Sequence, residues 1–222
     1  MNGILIINKP KDWTSFDVVA KIRNKLKVKK VGHTGTLDPM ATGVLVLCLG
    51  KATKLAQNMT GYDKEYIAEI TFGATTPTDD AEGELAPFPG ATKKTAAQIR
   101  KALKEFEGEI LQLPPQFSAK KVKGKRAYAM ARKGQEVRLE PVKVTVRELE
   151  MLEYKWPVVK IRVLCGKGFY VRSLARDLGQ KLGTGGYLSA LQRTKVGPYG
   201  IKQAVTIEEA DEKNILPIPL NA

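Results

Sequence analysis

The sequence predicts an α+β fold, with a mixed, largely antiparallel sheet and flanking helices. Three observations carry that expectation. Strand-length apolar or alternating runs outnumber helical ones, and neighbouring runs are joined by short turns more often than through an intervening helix. Val44 to Leu49 is an unbroken apolar run opening on a β-branched residue, short enough for a strand buried on both faces. The 222 residues are 43% hydrophobic, enough for one sizeable core or two small lobes, and show no internal repeat or low-complexity linker.

From the N-terminus, Ile4 to Ile7 is a first strand, closed by Asn8-Lys9-Pro10-Lys11. Thr14-x-x-Asp17 has the form of a capping box, and Val18, Val19, Ile22 and Leu26 follow at helical spacing. Lys21 to Lys30 carries six basic residues and no acid, a solvated face or a phosphate contact. Gly32 to Gly43 holds three glycines, three threonines and a proline, which favour turns over regular structure. This loop sits at the mouth of the Val44–Leu49 strand and contains the chain's single histidine, His33, and one acid, Asp38. Pro39 pushes the backbone of Asp38 toward the extended region, so the carboxylate projects from a constrained segment. The threonines can bond neighbouring backbone groups and stiffen it further.

Lys51 to Met59 predicts a short helix. Tyr66, Ala68, Ile70 and Phe72 alternate onto one inward face, which by pattern makes Tyr66 a core residue. Thr78 to Gly83 is an acidic turn; its spacing lacks the ligand pattern of a calcium loop, so a solvated turn is expected. Thr95-x-x-Gln98 opens a second capped helix, with Ile99, Leu103 and Phe106 inward and Gly108 past its end. Between Ala119 and Arg138 lie Lys120, Lys121, Lys123, Lys125, Arg126, Arg132, Lys133 and Arg138 against Glu136 alone. A basic loop flanked by prolines at 114 and 115 would track phosphates. Val142, Val144 and Val146 share a face, after which the apolar phase shifts to Leu149 and Met151, predicting a bulge. Val159, Ile161, Val163 and Cys165 form the next inward row. Gly166-Lys167-Gly168 turns into a helix whose stripe is Val171, Leu174, Ala175, Leu178 and Leu182, ended by Gly183. Arg172 stands one residue off that stripe, where pattern alone suggests a surface arginine. Ile207 to Asp211 predicts a last helical turn.

The formal net charge of +14 points to a polyanionic partner. The sequence contains no stretch of eighteen apolar residues, no basic amphipathic helix with a bulky apolar face and no leader, which argues against a membrane and for the cytoplasm. Cys48 and Cys165 lie in apolar runs; with one histidine they make no familiar zinc site, and no metal or cofactor is expected.

The run Gly-His-Thr-Gly-x-Leu-Asp-Pro-x-Ala-x-Gly, met here between Gly32 and Gly43 with Thr36 before Leu37, resembles the signature loop of the tRNA pseudouridine synthase B (TruB) family. Lys9-Pro10, Lys64-Glu65-Tyr66, the Pro114-to-Ala119 element, Lys167-Gly168-x-Tyr170-x-Arg172 and the Leu191-x-Arg193 segment continue the likeness over essentially the whole chain. Ser173 stands where the family often has threonine. The resemblance implies a pseudouridine synthase fold whose sheet bears two sublobes around an RNA-binding cleft. It implies a single catalytic domain over 1–222, with a basic thumb-like insertion at about 114–139. Many members carry a further PUA-type domain, which is not expected in this chain.

By the same resemblance, uridine 55 in the T-loop of tRNA is flipped out and isomerised without cofactor or metal. Asp38 acts on the nucleoside as nucleophile or base, Arg172 pairs with it, and Tyr66 stacks on the base. His33 fills the vacated space. Lys9, Thr36, Lys120, Lys121, Lys123, Arg126, Leu191 and Arg193 are the expected substrate contacts. The T-arm stem-loop is the expected partner of a monomeric enzyme.

Overall fold

The computed structural model describes residues 1–117, 121–122, 125–126 and 139–218; for 121–122 and 125–126 it describes the backbone alone. Two compact units emerge, Met1–Ile67 with Leu191–Ala222, and Ala68–Ala190. Strands β4 (Lys64–Phe72) and β12 (Gly186–Val196) contribute residues to both.

In the first unit, β1 (Gly3–Lys9) pairs antiparallel with β3 (Thr42–Leu49) from Gly3↔Leu49 to Lys9↔Gly43. The other edge of β3 is shared. β2 (Val31–His33) pairs antiparallel with its end, and β12 pairs parallel with its start through Thr42 and Gly43. That parallel pair makes the sheet mixed. The apolar run of β3 is explained by burial on both sides. Leu45, Leu47 and Leu49 pack with Leu5, Ile7 and helix α1 (Ser15–Lys25) through Val18, Val19 and Ile22. Val44, Val46 and Cys48 pack with Ile4, Ile6, Met59 and Tyr199 on the opposite face. The predicted helix after β3 is a 3-10 segment, Gly50–Leu55, running into α2 (Ala56–Met59). The last predicted turn is realised as a turn at 207–209 followed by a 3-10 segment at Glu212–Asn214. A short strand β13 (Tyr199–Gly200) folds back on β12.

In the second unit, β11 (Val158–Cys165), β10 (Val142–Lys155) and β7 (Gly108–Gln112) form an antiparallel set, with β4 beside β11. The register of β10 slips between Val146 and Glu148, at the predicted bulge. β5 (Ala74–Thr75) pairs with β6 (Ala86–Pro87), and β8 (Lys121–Val122) with β9 (Lys125–Arg126). Helix α3 (Ala96–Lys104) carries the Thr95–Gln98 capping box and contacts helix α4 (Val171–Leu182). Glu105, not a glycine, caps α3; Gly108 opens β7 at φ 85° instead. Phe106 lies past the helix and is half-buried.

Candidate active site

The loop between His33 and Thr42 lies wholly in the first unit, and its shape follows from which residues it buries. Leu37, Met40 and Ala41 are 3%, 6% and 0% exposed, so three apolar side chains pin the segment to the core. Thr36, just before them, is exposed, and Asp38, between Leu37 and Met40, is half-buried. An anchored backbone thus presents a carboxylate at its edge.

The loop's carbonyls are held by side chains from elsewhere in the unit. Arg193, 1% exposed, donates from Nη2 to the Gly35 carbonyl (3.1 Å), from Nη1 to that of Thr36 (3.3 Å) and from Nε to that of Val44 (2.7 Å). Ser15 Oγ donates to the Leu37 carbonyl (3.2 Å) and accepts from the Leu37 N–H (2.8 Å). Lys9 Nζ donates to the carbonyls of Pro39 (3.2 Å), Pro10 (2.9 Å) and Trp13 (2.6 Å). The Asp12 N–H also reaches Pro39. Buried cations satisfying carbonyls are the arrangement that a low-dielectric interior requires of such groups.

Lys9 and Arg193 are two of the residues expected to contact substrate. Lys9 is 0% and Arg193 1% exposed, and both donate to backbone carbonyls, three of which lie in the loop that they position. Leu191 is half-buried, and its carbonyl accepts from Thr42 Oγ1 at 3.5 Å. Of the threonines expected to stiffen the loop, Thr34 is buried and Thr36 is not. Gly43 is required by sterics: its φ is 99°, and a Cβ there would fall 2.2 Å from the Arg193 carbonyl oxygen.

His33, at the end of β2, precedes this loop. Burial lowers its imidazole pKa below the ordinary value, the Arg193 cation adds to the fall, and the Gly35 backbone partly opposes it. Tyr66 is 9% exposed on β4, as the alternation predicts, and the strand start is fixed by Lys64, whose ammonium donates to Thr60 (2.7 Å) and Tyr62 (2.6 Å) carbonyls.

Arg172 belongs to the second unit and is 6% exposed, not the surface residue its helical position suggests. It donates to the carbonyls of Thr78 (3.1 Å) and Phe117 (2.9 Å) and lies 3.4 Å from an Asp80 carboxylate oxygen. One turn later Arg176 pairs with Asp79 and Asp177, each at 2.9 Å. The acidic turn expected to be solvated is therefore an internal counter-charge: Asp80 is 1% exposed and accepts from Thr78 Oγ1 (2.6 Å) and the Glu82 N–H (3.0 Å). Burial raises the Asp79 pKa, with Arg176 opposing it. Gln112 holds the helix entry by exchanging two bonds with the Tyr170 backbone.

Lys120 and Lys123 lie outside the described residues, and the side chains of Lys121 and Arg126 do as well. Among the described residues no group of three or more His, Cys, Asp or Glu could hold a metal, and no helix is long and apolar enough to cross a membrane.

Comparison with known proteins adds independent findings. Residues 23–171 match the family model described as TruB family pseudouridylate synthase (N terminal domain), and residues 172–215 match tRNA pseudouridylate synthase B C-terminal domain. The tRNA pseudouridine synthase B of Parabacteroides distasonis is 49% identical over 97% of this chain and 95% of its own length. That of Aquifex aeolicus is 46% identical over 98% and 78%. Among solved structures, a chain of the Cbf5-Nop10-Gar1 complex superposes with a TM-score of 0.76 at 31% identity. It is matched over 97% of this chain, which spans 60% of that chain's length.

Proposed function

Because the chain belongs to the TruB family of pseudouridylate synthases, we propose that it isomerises uridine to pseudouridine at position 55 in the T-loop of tRNA. The glycosidic bond from ribose C1′ to uracil N1 breaks, a bond from C1′ to C5 forms, and the C5 proton is lost while N1 gains one. No net oxidation occurs.

The observation that supports this reading is the half-buried Asp38 on a loop whose carbonyls at 35, 36, 37 and 39 are all held by buried side chains. A carboxylate so restrained costs little reorganisation when positive charge develops on the ribose. Asp38 acts there as nucleophile or as base. The family resemblance assigns Arg172 as the partner of Asp38, and Tyr66 to stacking on the uracil. The target base lies inside a folded loop and is flipped out to be reached, with His33 filling the space. The lowered pKa of His33 favours the uncharged imidazole, which inserts without the cost of desolvating a charge.

Asp38→Asn is the decisive variant. Incubated with an unmodified tRNA transcript, wild type yields pseudouridine that chemical sequencing maps to position 55. Asp38→Asn is expected to lose single-turnover activity by more than about a thousandfold and to bind the transcript at least as tightly. Activity within about tenfold of wild type would refute the assignment.

A further inference from the structure

Phe16 is 70% exposed, on the second residue of α1. A single exposed aromatic is ordinary; its neighbours and its face distinguish this one. The preceding residue, Ser15, exchanges two hydrogen bonds with Leu37, which directly precedes Asp38. Cα–Cβ bonds of a helix tilt toward its N-terminus, here the end bonded to the loop. The Cα–Cβ bond of Phe16 therefore tilts toward the helix end that is bonded to the Asp38 loop.

Positions 16, 20 and 23 follow at intervals of four and three, which places them on one helical face, and exposed Lys27 follows the helix end, where the chain leaves helical geometry at φ 51°. Phe16, Arg23 and Lys27 are exposed and Ala20 half-buried, while Val18, Val19 and Ile22 form the opposite, buried face. Lys25 is committed elsewhere, donating to the carbonyls of Ile207 and Glu208. One face thus carries an aromatic ring at the loop end and a cation further along, with a second cation past the helix end. An apolar docking site for a protein would gather further exposed apolar side chains, whereas the exposed residues near Phe16 in the sequence are Lys11, Asp12, Thr14 and Asp17.

Resting on the function proposed above, we propose that Phe16 is a stacking platform for an unpaired base of the RNA substrate, adjacent to the base that enters the Asp38 loop. Arg23 and Lys27 follow the phosphates of the same strand along the helix and past its end. Aromatic stacking is indifferent to salt and to base identity, whereas phosphate pairing depends steeply on salt.

The two contributions separate in one experiment. Binding of an unmodified tRNA transcript is measured across a salt series for wild type, Phe16→Ala, Phe16→Leu, Phe16→Trp and the double variant Arg23→Ala/Lys27→Ala. Phe16→Ala and Phe16→Leu are expected to weaken binding roughly tenfold at every salt concentration without changing the slope. Phe16→Trp stays within about twofold of wild type. The double variant lowers the slope of log K against log salt by roughly 0.7–0.9 for each phosphate it leaves unneutralised. Melting temperatures of the Phe16 variants should match wild type, because an exposed ring contributes little to packing. Unchanged affinity for Phe16→Ala, as a ring serving a protein partner would give, or wild-type affinity for Phe16→Leu, overturns the stacking role. Pseudouridine formation by wild type is scored in the same samples. A wild type that converts the transcript while Phe16→Ala binds normally refutes stacking alone, whereas one that neither binds nor converts refutes both proposals.

Discussion

Replacing Arg193 by methionine tests whether the loop is held from behind. The substitution keeps an unbranched side chain in the space but removes three donors, to Val44, Thr36 and Gly35. Val44 is 0% exposed, so its carbonyl is left without a partner and without water; such a group costs about 1–3 kcal/mol. The Thr36 and Gly35 carbonyls lie on a less buried segment, where water can replace the guanidinium, and add about 1 kcal/mol between them. A loss of about 2–4 kcal/mol follows, or a fall in Tm of about 4–16 °C for a chain of this size. The chain has two tryptophans, and Trp13 lies in the first unit while Trp156 lies in the second. With Trp156 replaced by phenylalanine, urea denaturation followed by Trp13 emission reports on the unit that carries Arg193. The released loop should also lower kcat by roughly ten- to a hundredfold, the order of penalty expected when a catalytic group is displaced by about 1 Å. A Tm within about 1 °C of the parent together with an unchanged kcat would show that the guanidinium is not what orders the loop.

Three further outcomes are expected. The single histidine makes proton NMR titration unambiguous: the His33 pKa should lie below 6.5 and rise in Arg193→Met, yet stay depressed because burial is the larger cause. Since the folded imidazole resists the proton that the unfolded one accepts, stability should be fully present above pH 6.5 and decline as pH falls from there toward the lowered folded value; a His33 titration at or above 6.5 contradicts the geometry. Asp80→Ala removes the carboxylate beside a guanidinium that is 6% exposed, so a loss of about 3–5 kcal/mol is expected, read by Trp156 emission in a Trp13→Phe background. Changing Lys120, Lys121, Lys123 and Lys125 together to alanine should flatten the salt dependence of RNA binding by roughly 0.7–0.9 for each phosphate left unneutralised, and an unaltered slope would rule those lysines out.

What the sequence alone could show depended on how far apart the partners lie. Both capping boxes were readable because Thr14 meets Asp17 and Thr95 meets Gln98 within one turn. The alternation of Tyr66 to Phe72, the slip after Val146 and the αL cap at Gly183 are likewise written in adjacent residues. The loop from Gly32 to Gly43 was recognisable by composition, but the groups that hold it were not. Lys9 reaches Pro39 across 30 positions and Arg193 reaches Gly35 across 158, and no local pattern marks a lysine or arginine as buried. Asp80 failed for the same reason: two acids in a turn look solvated until Arg172 and Arg176, more than ninety residues later, supply the counter-charge.

That failure changes what the charge composition means. A net charge of +14 points to a polyanionic partner but counts every one of the 37 basic residues alike. Among the described residues Lys9, Lys64, Arg172 and Arg193 are buried, and each donates to backbone carbonyls. These four contribute to net charge but present no donor that a phosphate can replace without opening the core. Lys9, Lys64 and Arg193 fix the polypeptide around Asp38 and Tyr66 in the first unit, and Arg172 fixes the start of α4 in the second. The salt dependence of RNA binding should therefore follow the exposed cations alone, such as Arg23 and Lys27. Neutralising a buried cation should lower kcat and stability while leaving that slope intact, and neutralising an exposed one should do the reverse. Composition cannot separate the two populations, because a lysine counts the same on either side of the surface.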